Sequence, residues 1–360
     1  MSRKQLRQTI QNLKGEVEFR EKLSRQHVLG ESRLPDYYQK EQHDQILLQR
    51  MHDTRQKMEQ LKNQGVGLSP FLELGAERGQ RSLVLANDFN ATGIAIDISY
   101  HQLKTMDHFS KLFHKERMPV RICCDANHLP FRNNSFPFVF CYEFLHHFPA
   151  LKPVLSEVFR VLSDGYFFFD EEPFKRWLKV VLYKQDDKIY SERARRKNKY
   201  LTFFESFISE APCDETEYGI IENNKISLAE WLEALSSFSE RDLVLASVYH
   251  LSSKIEQKLN LRNIPNLLLG GQITGLCGKV SAAEAHEGTD LFERLGCPDC
   301  KIPAWDGSFD RPALIKLASG FKCPQCEFTY PCQDDIIFLL PRNELQQLYP
   351  EVWSTLFEYN

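Results

Sequence analysis

No stretch of this 360-residue chain approaches the roughly 20 consecutive apolar residues that a membrane-spanning helix requires. The opening MSRKQLRQTIQNLKGEVEF is charged throughout and lacks the apolar core of a secretion signal, so a cytoplasmic protein is expected. An excess of charge of one sign is missing too: 45 Lys and Arg stand against 49 Asp and Glu, a net of −4. That balance gives no global attraction to a polyanion, and nucleic-acid binding would need a local basic patch. Internal repeats and low-complexity tracts are absent, which removes repeat arrays. What is present is apolar material, 42% hydrophobic and 12% aromatic, in a chain longer than one typical domain. These amounts imply a globular protein of two or three parts.

Residues 1–64 are polar, with apolar positions at helical spacing in HDQILLQRMHDTRQKMEQLKNQG. Two or three helices are expected there, broken near GESRLPDYY, packing on and covering the segment beyond residue 64. From Pro70 the character changes. The short apolar runs FLELG, TGIAID, PVRICCDA, FPFVFCYE and GYFFFDEE alternate with amphipathic stretches, the sequence form of a parallel, doubly wound α/β sheet. An insertion of charged and aromatic sequence at about 174–226 interrupts the pattern, before SLAEWLEALSSF resumes as a helix and DLVLASVYH and QITGLCGKV come next as strands. Such an insertion would sit over the carboxyl ends of the strands, where open α/β sheets bind ligands, and reads as a substrate cap. VSAAEAHEGTD reads as a linker, and residues 290–360 form a compact unit with paired cysteines.

The stretch FLELGAERGQRS carries a glycine turn between strand and helix, with Glu77 where a third glycine would be expected. Glycines alone are a weak signal, so their partners decide. Glu73 ends the strand before Gly75. Asp97 ends the next strand, a carboxylate able to take both hydroxyls of an adenosine ribose. Asp125 and Ala126 come after a third strand, where a carboxylate can accept from an adenine amino group.

Together with CDANHLPFRNNSFPFVFCYEFLHHF, this set resembles the class I S-adenosylmethionine-dependent methyltransferases over residues 65–282. The resemblance implies a Rossmann-like, seven-stranded methyltransferase sheet with N-terminal helices, a cap insertion and a small C-terminal zinc ribbon. It also implies that Glu73, Gly75 and Gly79 approach the methionine end of the cofactor, Asp97 the ribose, and Asp125 and Ala126 the adenine, with Ala76, Ile98 and Tyr142 as further cofactor-binding residues. The turn's N–H groups and the helix N-terminus would receive the cofactor's carboxylate. A nicotinamide cofactor is disfavoured because its pyrophosphate wants the tighter glycine spacing. Two residues depart from the family pattern: Glu77 replaces the middle glycine, and Pro137 stands where an Asp is usual.

Methyl transfer from a sulfonium depends mainly on positioning the acceptor in a dry pocket, though an oxygen or nitrogen acceptor can require a base. His146 and His147 after the fourth strand, and Asp170, Glu171 and Glu172 after the fifth, are the candidates. The bland alternatives are a histidine pair packed against the cofactor loop and carboxylates with structural or capping roles, while the functional readings of the carboxylates are Mg2+ binding and substrate hydrogen bonding. In the insertion, Arg193, Arg195, Arg196, Lys197 and Lys199 between Tyr190 and Tyr200 form either a solvated helix face or a grip for an anionic substrate or RNA.

Cys297 and Cys300 in CPDC, with Cys323 and Cys326 in CPQC, have the spacing of two knuckles that aim four thiolates at one structural Zn2+. Cys123, Cys124, Cys141, Cys213, Cys277 and Cys332 read as packing thiols. The run FKCPQCEFTYPCQDDIIFLLP resembles small zinc-ribbon proteins, some of which partner with methyltransferases, so a protein partner through this module is a further expectation. Ribbons also serve RNA recognition in rRNA methyltransferases. From Asp290 onward, however, six basic residues face eleven acidic ones, a balance that repels phosphates. The leading expectation is a soluble S-adenosylmethionine-dependent methyltransferase acting on a small-molecule or glycan-type acceptor, with O-methylation preferred. The rivals are an RNA (rRNA or tRNA) methyltransferase and a non-catalytic adapter that keeps the methyltransferase fold.

Overall fold

The computed structural model describes residues 3–29, 40–175, 177–178, 182–184, 208–210, 223, 226–247, 252–255, 261–269, 271–280, 290–304 and 308–356. Most of the expected cap, with Tyr190, the Arg193 to Lys199 cluster, Tyr200 and Cys213, lies outside the described residues, as does most of the linker. No described helix is long and apolar enough to cross a membrane.

Two helices, α1 (Arg3–Leu29) and α2 (Lys40–Asn63), precede the sheet. On α2 the buried residues Leu47, Met51, Thr54, Met58 and Leu61 recur every three or four positions, so one stripe faces inward. Met58 and Leu61 pack with Phe71, Leu85, Phe138, Phe140 and Phe168. The apolar runs then become β1 (Phe71–Leu74), β2 (Gly93–Asp97), β3 (Val120–Cys123), β4 (Phe136–Tyr142) and β5 (Leu162–Phe174). β1 and β2 are buried at every position, as expected of parallel strands covered on both faces. Their crossovers are α3 (Gln80–Asp88), α4 (Tyr100–Leu112) and α5 (Leu151–Val161). Leu151, Val154, Leu155, Val158 and Val161 form the buried stripe of α5. Pro137, unable to donate to the ladder, coincides with a register shift between β4 and β5.

After α6 (Leu228–Ala234), β6 (Glu240–Ser247), β7 (Ser252–Ile255), α7 (Ile264–Leu269) and β8 (Gly271–Lys279) complete this half. The cysteine-bearing segment contributes β9 (Ile315–Leu317), β10 (Gly320–Lys322), β11 (Thr329–Gln333) and β12 (Ile336–Phe338), then α8 (Arg342–Leu348) and α9 (Pro350–Thr355).

The main sheet has twelve strands rather than the expected seven, in the order β9-β10-β11-β12-β3-β2-β1-β4-β5-β8-β6-β7. The excess arises because β12 pairs in parallel with β3, Ile336 opposite Arg121 and Phe338 opposite Cys123, while β7 adds at the far side. The sheet is mixed, since β8 runs antiparallel to both β5 and β6. Ile336, Phe338, Leu340, Leu345, Leu348, Tyr349 and Val352 share one apolar cluster with Ala76, Leu83, Leu103 and Met106. Chain order reverses at β1, which lies between β2 and β4, and that switch point opens a crevice at the carboxyl ends of the strands.

Candidate functional site

The crevice has a cavity volume of about 140 Å³ and is lined by Gly75, Glu77, Arg81, Ile98, Asp97, Asp125, Ala126, Tyr142, His147 and Phe148, among others. Gly75 and Gly79 adopt φ of 63° and 68°, values that favour glycine. A Cβ on Gly75 would collide with the Phe144 ring and one on Gly79 with Met106, so both positions also need the absence of a side chain. Between them Glu77 holds φ 47° although it has a side chain. Two contacts fix it there: its N–H donates to Asp97 Oδ2 at 2.9 Å and its carboxylate accepts from Arg20 Nη1 of α1 at 2.8 Å. Burial alone would raise its pKa, but Arg20, Arg78, Arg50 and Arg81 overcome that and bring it down to about 2.

Asp97 accepts from Ser99 N at 2.8 Å, which with the Glu77 bond aims the carboxylate across the turn. Burial raises its pKa to about 6, against the opposing hydrogen bond from Ser99 and the charge of Arg20. The loop behind it is braced from the C-terminal segment, where Tyr349 Oη donates to Ile98 O at 2.6 Å and accepts from Tyr100 N at 3.0 Å. Asp125 accepts from Asn127 N at 2.9 Å and from Asn127 Nδ2 at 3.1 Å, and burial raises its pKa.

Glu73 is almost fully buried and does not line the crevice. Its Oε2 accepts from the N–H of Ser82 at 3.0 Å and from the Ser82 hydroxyl, which caps the first turn of α3. Burial pushes its pKa to about 7 despite Arg81 and Ser82. Ala76 and Gly79 lie behind the lining, Ala76 N donating to Ile96 O at 2.8 Å.

Of the histidine pair, His147 lines the crevice while His146 packs against its ring and meets Glu172 Oε2 through Nδ1 at 3.0 Å. Glu172, fully buried, also accepts from the N–H groups of Phe144 at 2.7 Å, Leu145 at 2.8 Å and His146 at 3.2 Å. It therefore holds the loop that carries both histidines. Asp170 accepts from the Thr274 hydroxyl and from Glu171 N at 3.0 Å, with Lys57 Nζ at 3.9 Å. Glu171 takes φ 61°, and burial, then the charge of Glu143, raises its pKa. Neither Asp170 nor Glu171 lines the crevice.

The crevice gains residues that sequence reasoning did not name as site residues. Asn12, Leu13, Glu16 and Arg20 of α1 form one wall and Arg50 of α2 another, Arg50 pairing with Glu143 at 3.3 Å. Arg81 stacks over the Tyr142 ring at 4.2 Å. Its Nε and the Tyr142 hydroxyl are buried without a hydrogen-bond partner among the described residues. Both residues line the crevice, although these two atoms are themselves shielded from solvent. Arg81 was legible as part of the quoted turn. Arg20 and Arg50 carried no local signal at all.

The four cysteine sulfurs of the C-terminal segment lie within 4.8 Å of one another. Cys297 Sγ and Cys326 Sγ are 3.9 Å apart, close to the ~3.8 Å edge of a tetrahedron with Zn–S bonds of about 2.3 Å. Cys323 Sγ accepts from Gln325 N at 3.4 Å and Cys326 N at 3.5 Å, contacts suited to a thiolate. Of the other described thiols, Cys123, Cys124, Cys141 and Cys277 are buried, whereas Cys332 is exposed on β11 and does not fill the core.

Residues 72–169, which build most of this crevice, match the family model described as a methyltransferase domain. Among curated proteins, the sterol 24-C-methyltransferase erg6 of Schizosaccharomyces pombe is 24% identical over 103 residues, covering 28% of this chain and 27% of that protein. The uncharacterized protein MJ0638 of Methanocaldococcus jannaschii is 41% identical over 80 residues, covering 22% of this chain and 30% of its own length. The chain thus spans under a third of the curated relatives it matches. Among solved structures, geranyl diphosphate C-methyltransferase from Streptomyces coelicolor, in complex with Mg2+, geranyl diphosphate and S-adenosyl-L-homocysteine, aligns at a TM-score of 0.39 and 12% identity over 69% of this chain and 89% of that one.

Proposed function

We propose that this chain transfers a methyl group from S-adenosylmethionine to an oxygen of a small-molecule or glycan-type acceptor. The observation that carries this reading is the pairing of Asp97 and Asp125 at the tips of neighbouring strands in one crevice that Arg81 and Tyr142 also line. The donor set suits the cofactor. Asp97 would accept from the ribose hydroxyls, Asp125 from the adenine amino group, and the Arg81 guanidinium would meet the carboxylate. When bound, the cofactor supplies an electrophilic methyl on a sulfonium, and the protein's task is to exclude water and orient the acceptor. The apolar walls from Leu13, Phe144 and Phe148 support water exclusion. His147, the member of the histidine pair that reaches the crevice, is the group we assign to accept the acceptor's proton.

We further propose that Cys297, Cys300, Cys323 and Cys326 hold a structural Zn2+. Four thiolates leave no coordination position for water, so the ion would stabilise rather than react.

Calorimetry with S-adenosylhomocysteine tests the assignment. Saturable binding by the full chain, weakened ~10-fold or more by Asp97→Ala through loss of two hydroxyl contacts, is the expected result. Absence of heat in the wild-type chain would instead favour the non-catalytic adapter.

A further inference from the structure

At Asp125, a lining residue of the crevice, three ligand-type side chains converge, two of them from residues outside that lining. Asp125 caps the single 3-10 turn Ala126–His128, and His128 closes it. Positions three apart in such a turn eclipse, so the two side chains share a side. Glu344 reaches the same place from the first turn of α8. One oxygen from each carboxylate and one ring nitrogen of His128 all lie within 4.8 Å of one another. Ligand atoms around a single ion at about 2.1–2.2 Å are separated by roughly 3–4.3 Å, so small rotations would close the set.

The cluster lacks what a buried acidic pair ordinarily has. Asp125 is 3% exposed and Glu344 4%, yet neither has a Lys or Arg ion-pair partner among the described residues. Glu344 Oε2 is buried with no hydrogen-bond partner there. The two hydrogen bonds to Asp125 both fall on Oδ1 from Asn127. An orphaned carboxylate beside a second one is costly unless a cation or a proton joins them. A shared proton would satisfy the two carboxyls but would leave the exposed imidazole of His128 without a part. A cation uses all three, enters from the His128 side and keeps its remaining positions for water.

We propose that Asp125, His128 and Glu344 form a second metal site, distinct from the four-thiolate cluster, for one divalent cation that accepts mixed oxygen and nitrogen ligands, Mn2+ or Co2+ being its chemical type. Such an ion joins α8 to the wall of the crevice through Asp125. The inference rests on this cluster's geometry and requires no methyl transfer, although it shares Asp125 with the adenine contact proposed above.

Titration of the full-length, zinc-loaded chain with Mn2+, with free ion monitored by electron paramagnetic resonance, tests it. One saturable Mn2+ per chain is expected, with affinity lowered ~10-fold or more in both Glu344→Gln and His128→Ala, and zinc content and circular dichroism unchanged. His128 is exposed, so its variant reports on ligation even if Glu344→Gln perturbs packing. No saturable uptake by the wild-type chain, the result a shared proton gives, overturns the proposal. Equal affinity in wild type and both variants, or uptake lost only in Cys297→Ser, overturns it as well.

Discussion

A carboxyl whose pKa rises on folding makes the folded state weaker as pH rises, and Glu73 is such a group. Its folded value of about 7 exceeds the ordinary value of 4.5, so the folded chain binds the proton more tightly. The associated stability is present below about 4.5 and is lost as pH climbs through 7. Glu73→Gln removes this titration while keeping an acceptor for Ser82. Urea midpoints at pH 5 and pH 8 should therefore diverge, wild type losing on the order of 3 kcal/mol more than the variant. Parallel curves would refute the assignment. The same residue marks a limit of sequence reading. A carboxylate at a strand end points equally well toward a ligand or toward the helix that comes next, and Ser82 takes it here. Asp97 and Asp125 were legible because they lie just beyond apolar runs at a switch point. The arginines facing them were not, since Arg20 and Arg50 come from helices far upstream whose approach is a matter of tertiary packing.

Among the elements, α1 owes its seat over the crevice to a strained residue. Left-handed backbone at a non-glycine costs roughly 1 kcal/mol or more, and Glu77 keeps it while reaching Arg20. Gln102 Nε2 adds a second tie to the same turn of α1 by donating to Arg20 O at 3.2 Å. Glu77→Gly should relax the turn yet speed amide exchange around residues 16–24 about tenfold or more, as read by hydrogen-exchange mass spectrometry. Unchanged protection there would show that apolar contacts alone seat the helix. The five parallel strands and their crossovers were readable because each is a short apolar run flanked by amphipathic sequence. β12 is the same kind of run, IIF, but its partner is β3, more than two hundred positions away. Nothing in local pattern names a partner at that distance, so the cysteine segment read as a separate unit.

For the whole molecule, the consequence is that a metal held by the cysteines, as proposed, would stabilise the main sheet. β12 is buried between β11 and β3, and Leu339 N donates to Cys123 O at 2.9 Å just beyond it. Stripping the zinc with a strong chelator should lower the melting temperature of the entire chain by about 5 °C or more and weaken cofactor binding with it. Differential scanning fluorimetry on chelated and reconstituted protein reads this directly. A melt that leaves the main transition in place would mean the ribbon unfolds alone.

The pairing of residues 121–123 with 336–338 also sets a timetable for biosynthesis. On a translating ribosome β3 emerges long before its neighbour, at about 5–20 residues per second, and must wait with one row of backbone groups unsatisfied. A nascent chain stalled before residue 336 would thus leave β3 as an open, aggregation-prone edge and be a natural client for chaperones, and maturation would finish only when the C-terminal segment has been made.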